Sequence, residues 1–378
     1  MSEGDLSARV AGSVGAIDAA AWDALAGDNP FMSHAFLTAL EDSGSVGPGT
    51  GWQPVPLVVS ADNDPVLAAM PAYAKGHSQG EYVFDHAWSD AFERAGGAYY
   101  PKLQIAAPFT PATGPRLLLS DPSLAAPLLR AAEQLCLQNG FSSAHATFIE
   151  PDQHALFEEA GWMLRSDIQF HWLNHGFASF DDYLATLTSR KRKDLRKERA
   201  AAQAGLDIVH ISGDAILPHH WDAFWHFYQD TGLRKWGSPY LTREAFDLFG
   251  ERMGEAIVLV LAIDEGEPIA GALNFVGSDT LYGRYWGCTK QVRFLHFELC
   301  YYQAIDIAIE RGLSRVEAGA QGGHKLARGY EPVETVSAHW IADPGFRVAV
   351  RDFLERERRG VAADRNYLAQ RTPFRRSQ

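Results

Sequence analysis

The sequence contains no run of about 18 uninterrupted apolar residues, so nothing in it reads as a membrane-spanning helix. Its opening, MSEGDLSARV, has neither a basic start nor an apolar stretch, which predicts no signal peptide and a cytoplasmic location. Cysteine is scarce: Cys136, Cys288 and Cys300 are odd in number and lack CxxC spacing, which argues against a disulfide framework or a zinc site and fits a reducing compartment. There is no GxSxG elbow, no Walker loop and no GxGxxG, so hydrolase, ATPase and dehydrogenase readings lose their usual signals. His219, His220 and His226 gather around Trp221 with no carboxylate at HExxH spacing, and His171 and His175 merely bracket a strand end; no metal is expected. His34, in the stretch Ser33 to Phe36, reads as a capping group.

What is present is a globular chain. Hydrophobic residues make up 46% and charged residues 21% of 378, and the length exceeds one ordinary core, which suggests two domains. The net charge of −13 is unevenly spread. Arg190 to Arg199 (RKRKDLRKER) carries seven bases and two acids, and the stretch from Phe346 to Gln378 carries nine arginines and four acids. The acidic remainder does not coat nucleic acid nonspecifically, but two basic patches are suited to phosphates.

The chain contains itself twice. LVVSADNDPVLAAMPAY (Leu57 to Tyr73) matches LVLAIDEGEPIAGALNF (Leu259 to Phe275): strand, acidic turn, strand. The helical run Pro122 to Asn139 ends at Gly140, and the run Glu298 to Arg311 ends at Gly312, where a left-handed cap is needed. Gly161-Trp162 precedes His171-Trp172 as Gly329-Tyr330 precedes His339-Trp340. The offset shrinks between hairpin and helix, so copy one holds an insertion, assigned to 76–116, rich in Pro, Gly and aromatics. Each copy orders hairpin, strand, helix, strand, short helix, strand, which predicts an α/β (α+β) fold with mixed sheets. The expected domains are 1–165, 166–345 and a basic helical tail, 346–378.

Several motifs are longer than these patterns require. They are NPFMSHAFLTALEDSGSVG (Asn29 to Gly47), SRKRKDLRKER (Ser189 to Arg199), YGRYWGC (Tyr282 to Cys288), LHFELCYYQAIDIAIERGL (Leu295 to Leu313) and EAGAQGGHKLARGYEP (Glu317 to Pro332). Together they resemble the FemAB-like (peptidoglycan biosynthesis/recognition) group of the GNAT N-acyltransferase superfamily, from about Asp28 to Ile341. The resemblance implies two tandem GNAT-like domains of the Fem type. It also implies transfer of an acyl or aminoacyl group to a primary amine, with aminoacyl-tRNA the donor in Fem enzymes and acyl-CoA in ordinary GNAT enzymes. No tightly bound cofactor is implied. In ordinary GNAT domains glycines close a loop around the CoA pyrophosphate. Here TKQVRFLHFE puts Phe294 and His296 at those positions, which favours the Fem side or a degenerate site.

The candidate residues lie mainly in the second copy. The resemblance makes Gly287 a plausible strand bulge whose N–H stabilises an oxyanion. His296 and Glu298 open the following helix and suit acid–base work; Glu298 alternatively favours the helix dipole, and His296 caps a turn. Glu317 ends the next strand, and Tyr301 is a proton donor or core packing. The run Gly319 to Lys325, with Gln321, Gly322, His324 and Lys325, suits a phosphate or carboxylate, or is only a tight turn. Arg190, Lys191, Arg196 and Arg199 sit on a helix expected over 182–203 whose apolar stripe (Leu184, Leu187, Leu195) is thin. In Fem enzymes a basic helix near this position lines the substrate region, so contact with a nucleotide, tRNA or lipid-linked phosphate is expected here. Tyr285 and Trp236 complete the substrate set, Trp236 in an aromatic loop that is either a lid or packing. The first copy is read as degenerate. The alternative is a non-catalytic module that recognises peptidoglycan precursors or a protein partner.

Overall fold

The structure, a computed structural model, describes residues 6–61, 66–236, 239–319 and 322–375, the side chains of 233–236 excepted. The chain forms two compact units: residues 1–167 with 334–363, and 168–333 with 364–378. The expected division of the second half into 166–345 and a separate tail therefore does not describe the packing.

The first unit contains β1 (Ser7–Val10), α1 (Ala19–Ala26), α2 (His34–Asp42), β2 (Trp52–Pro54), β3 (Leu57–Ser60), β4 (Val66–Met70) and β5 (Ala72–Lys75). There follow α3 (His86–Arg94), β6 (Lys102–Ile105), β7 (Leu118–Leu119), α4 (Ala125–Asn139), β8 (Ser143–Ile149), α5 (His154–Glu159) and the start of β9 (Met163–Leu173). Asp18 and Ser33 cap α1 and α2 by accepting from the N–H groups of Ala21 and Phe36. Gly140 ends α4 in the left-handed region at φ 66°, as the sequence predicts. The stretch 76–116 is ordered; α3 is the extra element in it, whereas β6 is the counterpart of β13.

The second unit contains α6 (Phe180–Thr186), α7 (Ser189–Gln203), β10 (Asp207–Ile211), α8 (Pro218–Trp236), α9 (Arg243–Met253), β11 (Ile257–Asp264), β12 (Glu267–Val276) and β13 (Thr280–Cys288). A short turn, α10 (Leu295–Phe297), runs into a π-helical turn at Glu298–Tyr302, then α11 (Gln303–Glu310) and β14 (Arg315–Glu317). β15 (Glu331–Ile341) and α12 (Pro344–Ala369) close the chain. The single helix expected over 182–203 is two. Leu187, fully buried and extended (ψ 156°), breaks it and bridges to Phe374.

The repeat is visible in the strands. β3–β4 and β11–β12 are antiparallel hairpins, and β6–β8 and β13–β14 are parallel pairs. The closing strands are exchanged. β9, from the first copy, pairs with β14 through Trp172–Val316 and His171–Glu317. β15, from the second copy, pairs with β8 through His339–His145 and Trp340–Ala144. Each copy's last strand thus completes the sheet of the other, which is why residues after 333 return to the first unit. The second unit's core includes Trp172, Leu195, Val260, Leu281, Leu299 and Ile305; the first unit's includes Leu57, Leu103, Leu128, Ala146 and Trp340.

Candidate active site

The second unit's sheet opens where β13 and β14 part. They pair only from Thr280–Arg315 to Tyr282–Glu317, while β13 runs on to Cys288. The β12–β13 register shifts between Leu273, opposite Tyr285, and Asn274, opposite Gly283, leaving Arg284 as the extra residue. A bulge takes such a residue out of the ladder. The sequence reading put this irregularity at Gly287. The structure places Gly287 in regular register opposite Gly271, where a side chain has no room. A β-carbon there would lie 2.0 Å from the Phe227 carbonyl oxygen, so glycine lets the backbone of α8 rest on the strand.

Over the unpaired half of β13 an aromatic and imidazole cluster assembles. The Tyr301 hydroxyl and His324 Nε2 are hydrogen-bonded at 2.8 Å. His296 stands edge-on to Trp286 (5.2 Å) and Tyr301 (5.5 Å), with the His324 ring 6.3 Å away. Burial raises the Tyr301 hydroxyl well above its usual range, so it stays protonated. Gly322, at φ 129°, starts the turn that presents His324; a β-carbon there would strike the imidazole at 2.7 Å. Behind the turn Lys325 is 1% exposed and donates to the Gly319 carbonyl at 2.6 Å. Burial lowers its amine to about 8, with Cys300 working upward and Arg284 downward.

Not all expected residues join this cluster. Glu298, fully buried, accepts on Oε1 from Arg199 (3.1 Å), Gln203 (2.8 Å) and Gln303 (2.6 Å), while Arg199 also holds Asp306 at 2.5 Å. Glu298 and Arg199 therefore fasten α7 to the π-helical turn. Glu317 faces His171 (3.8 Å) and Arg315 (3.6 Å). Burial, then Arg315 and Lys325, lowers His171 to about 3, so that imidazole is neutral at pH 7. Tyr285 packs edge-on against Tyr228 at 5.3 Å, on the α8 side. Gln321 and the side chain of Trp236 lie outside the described residues.

The basic helix divides similarly. Arg190 is exposed, and Arg196 pairs with Asp181 at 2.7 Å on the surface. Lys191 instead lines a cleft of about 410 Å³ with Lys197, Arg293, Phe294 and Arg328, opposed by Asp194 and Glu198. Arg328, 7% exposed, is fixed by Glu198 Oε2 (2.8 Å), the Tyr302 hydroxyl (3.1 Å) and the Phe297 ring (3.4 Å). Phe294 adopts φ 68°, the left-handed region that favours glycine. Lys197, Arg293 and Arg328 were not singled out from sequence; only Lys197, within the basic run, carried a signal there.

A second buried polar group lies in the first unit and went unrecognised. Lys75 and Lys102 are cross-strand partners on β5 and β6, both fully buried. Lys102 contacts Asp85, Glu81 (2.7 Å) and Ser78 (2.8 Å), and Lys75 sits 3.6 Å over the Trp52 ring. Two like charges directly opposite repel; Glu81 and Asp85 supply the compensation. From sequence, Lys102 fell within the insertion assigned to 76–116 and carried no signal of its own.

Among the described residues no cluster of three or more His, Cys, Asp or Glu is arranged to hold a metal ion, and no helix is long and apolar enough to cross a membrane.

The architecture is that of Fem-type proteins, two GNAT-like units in tandem. The structure of FemX superposes with a TM-score of 0.56 at 13% identity, covering 89% of this chain and 98% of FemX. L-PGS from Bacillus licheniformis gives 0.50 at 12%, covering 86% and 97%. The C-terminal domain of a putative lysylphosphatidylglycerol synthetase from Agrobacterium fabrum gives 0.51 at 10%, covering 87% and 92%. The chain belongs to the FemAB-like family, described as peptidoglycan biosynthesis/recognition, which matches residues 13–376. No curated protein matches it.

Proposed function

We propose that the second unit is the catalytic body of an N-acyltransferase that moves an acyl or aminoacyl group onto a primary amine of a peptidoglycan precursor. The first unit is its non-catalytic companion. One observation carries this reading: His296, Tyr301 and His324 converge on the half of β13 that β14 leaves unpaired. In the first unit, Arg116, 1% exposed, occupies the far end of the corresponding β6–β8 pair, donating to the carbonyls of Thr147 and Ala112 at 2.8 Å. That counterpart is closed from within.

The chemistry needs few parts. The acceptor nitrogen attacks the donor carbonyl carbon, and His296 takes the ammonium proton. The carbonyl oxygen gains charge beside the bulge at Arg284, the out-of-ladder backbone first assigned to Gly287. Lys325 adds a fixed positive charge close behind. As the carbonyl re-forms, the bond to the leaving oxygen or sulfur breaks, and Tyr301 supplies its proton, drawing on His324. The donor is acyl-CoA or aminoacyl-tRNA, and both present phosphates to Lys191, Lys197, Arg293 and Arg328. Arginine and lysine around a concave surface suit phosphate oxygens.

Calorimetric titration with acetyl-CoA, free CoA and charged tRNA at two salt concentrations identifies the donor, and a transfer assay with amine acceptors follows. Transfer abolished in His296→Ala supports the reading. Saturable binding without transfer from any donor class overturns it in favour of a recognition module.

A further inference from the structure

Next to the His296 cluster lies a separate cavity of about 280 Å³, lined by Trp286, Cys288, Val292, Leu295, His296 and Thr231. Its wall is mostly apolar. Trp286 forms one side, Val292 comes from the turn before α10, and Leu295 opens α10. Thr231 reaches it from α8 and is 8% exposed, yet its Oγ1 has no hydrogen-bond partner among the described residues. Leaving a buried hydroxyl unpaired is unfavourable, and native structures rarely do so without a role for it.

The other polar groups there are engaged. Gln291, which also lines the cavity, donates its amide to Cys288 Sγ at 3.5 Å, and the Lys290 ammonium pairs with Asp264. His296 is edge-on to Trp286. No carboxylate lines the cavity among the described residues. A group bearing an ammonium at its far end would lose its water there and gain no counter-charge.

We infer that this cavity holds the transferred group, that Thr231 is its specificity-determining residue, and that the group is uncharged at its far end, mainly apolar, and carries one hydroxyl or carbonyl oxygen to meet Thr231 Oγ1. The inference rests on the acyl-transfer reading for the identity of the occupant. The cavity and its orphaned hydroxyl stand independently of it. A site built to hydrogen-bond an oxygen rejects the isostere that lacks it more strongly than an apolar pocket rejects an added methylene.

Matched donors test this. Threonyl-tRNA against valyl-tRNA, and 3-hydroxybutyryl-CoA against butyryl-CoA, differ at one oxygen. In the donor class that reacts, wild type should prefer the oxygenated member about tenfold or more in kcat/KM. Thr231→Val should abolish the preference, and Thr231→Ser should keep most of it. Equal rates in wild type, or a preference that survives Thr231→Val, overturns the inference. A binding arm separates this failure from failure of the transfer reading. N-acetylthreonine amide and N-acetylvaline amide, both uncharged, are titrated against tryptophan fluorescence. Tighter binding of the threonine compound, lost in Thr231→Val, sustains the cavity assignment even without turnover. No discrimination there sinks it even if transfer occurs.

Discussion

Gly287 and Phe227 meet with no room between them: the Phe227 carbonyl oxygen stands 2.0 Å from where a β-carbon on Gly287 would be. Backbone, not a flexible side chain, is the obstacle. Gly287→Ala should therefore destabilise the second unit by about 1–3 kcal/mol or more, the usual cost of overpacking. Urea denaturation followed by tryptophan fluorescence measures it; an unchanged midpoint would show that α8 moves away freely.

Glu298 and His296 lie two residues apart but should respond differently. Arg199→Ala leaves Glu298 buried without its cation, and loss of one partner from a buried pair costs about 3–5 kcal/mol. Its signature is lower stability, with transfer by the remaining folded enzyme largely kept. His296→Ala should reverse this, with stability near wild type and turnover lost. A Glu298→Gln enzyme that folds normally yet loses turnover would return Glu298 to the chemistry.

Acid should loosen the first unit. His145 Nδ1 and His339 Nδ1 are 2.7 Å apart and fully buried, so the ring pair is built for neutral imidazoles. Burial, then Lys102, lowers His145 to about 3; burial, then His145, holds His339 well below its ordinary value. Unfolded, both bind protons near pH 6.5. Their contribution is complete above that pH and is lost as pH falls toward 3. Glu81, pushed up to about 7 by burial, acts in the opposite sense between pH 7 and its unfolded value. The two buried imidazoles bind no proton in this window when folded, so stability should fall as pH goes from 6 to 5. Thermal unfolding across this range checks the sign, and His145→Gln with His339→Gln should flatten the slope.

Lys325 predicts a second pH effect, on rate. Its amine, lowered to about 8 by burial, is charged below that pH and neutral above it. If its charge stabilises the oxyanion, kcat/KM declines as pH rises through about 8. Lys325→Met should be slow at all pH values and lack that limb. A rate that climbs through pH 8 would make Lys325 a base instead.

Much of this organisation was readable from the chain. Gly140, Gly312 and the paired Gly-aromatic and His-Trp motifs located the repeat because local backbone needs recur wherever the fold recurs. His296, Tyr301 and His324 were named from the motifs around them, and the structure brings these three side chains together. The contacts of Gly287, Glu298 and Arg199 were not legible in the sequence. Each depends on what another element brings opposite: the Phe227 carbonyl, the α7 side chains, the π-helical turn. Lys75 and Lys102 were hidden for the same reason. A lysine in sequence reads as surface until a strand register faces it with another and two acids join them.

The crossed closing strands, β9 on β14 and β15 on β8, also constrain how the chain is made. A ribosome delivers residues 1–167 first, but β8 waits for its neighbour until residues 336–341 have been synthesised. Domain-by-domain folding from the N-terminus, the usual route for long chains, is closed to this protein. The early half leaves the exit tunnel with an open sheet edge, and β15 completes it only later. The first copy is indispensable whatever its chemistry, since deleting it would strip β14 of β9. Duplication here has yielded two bodies that must be born together.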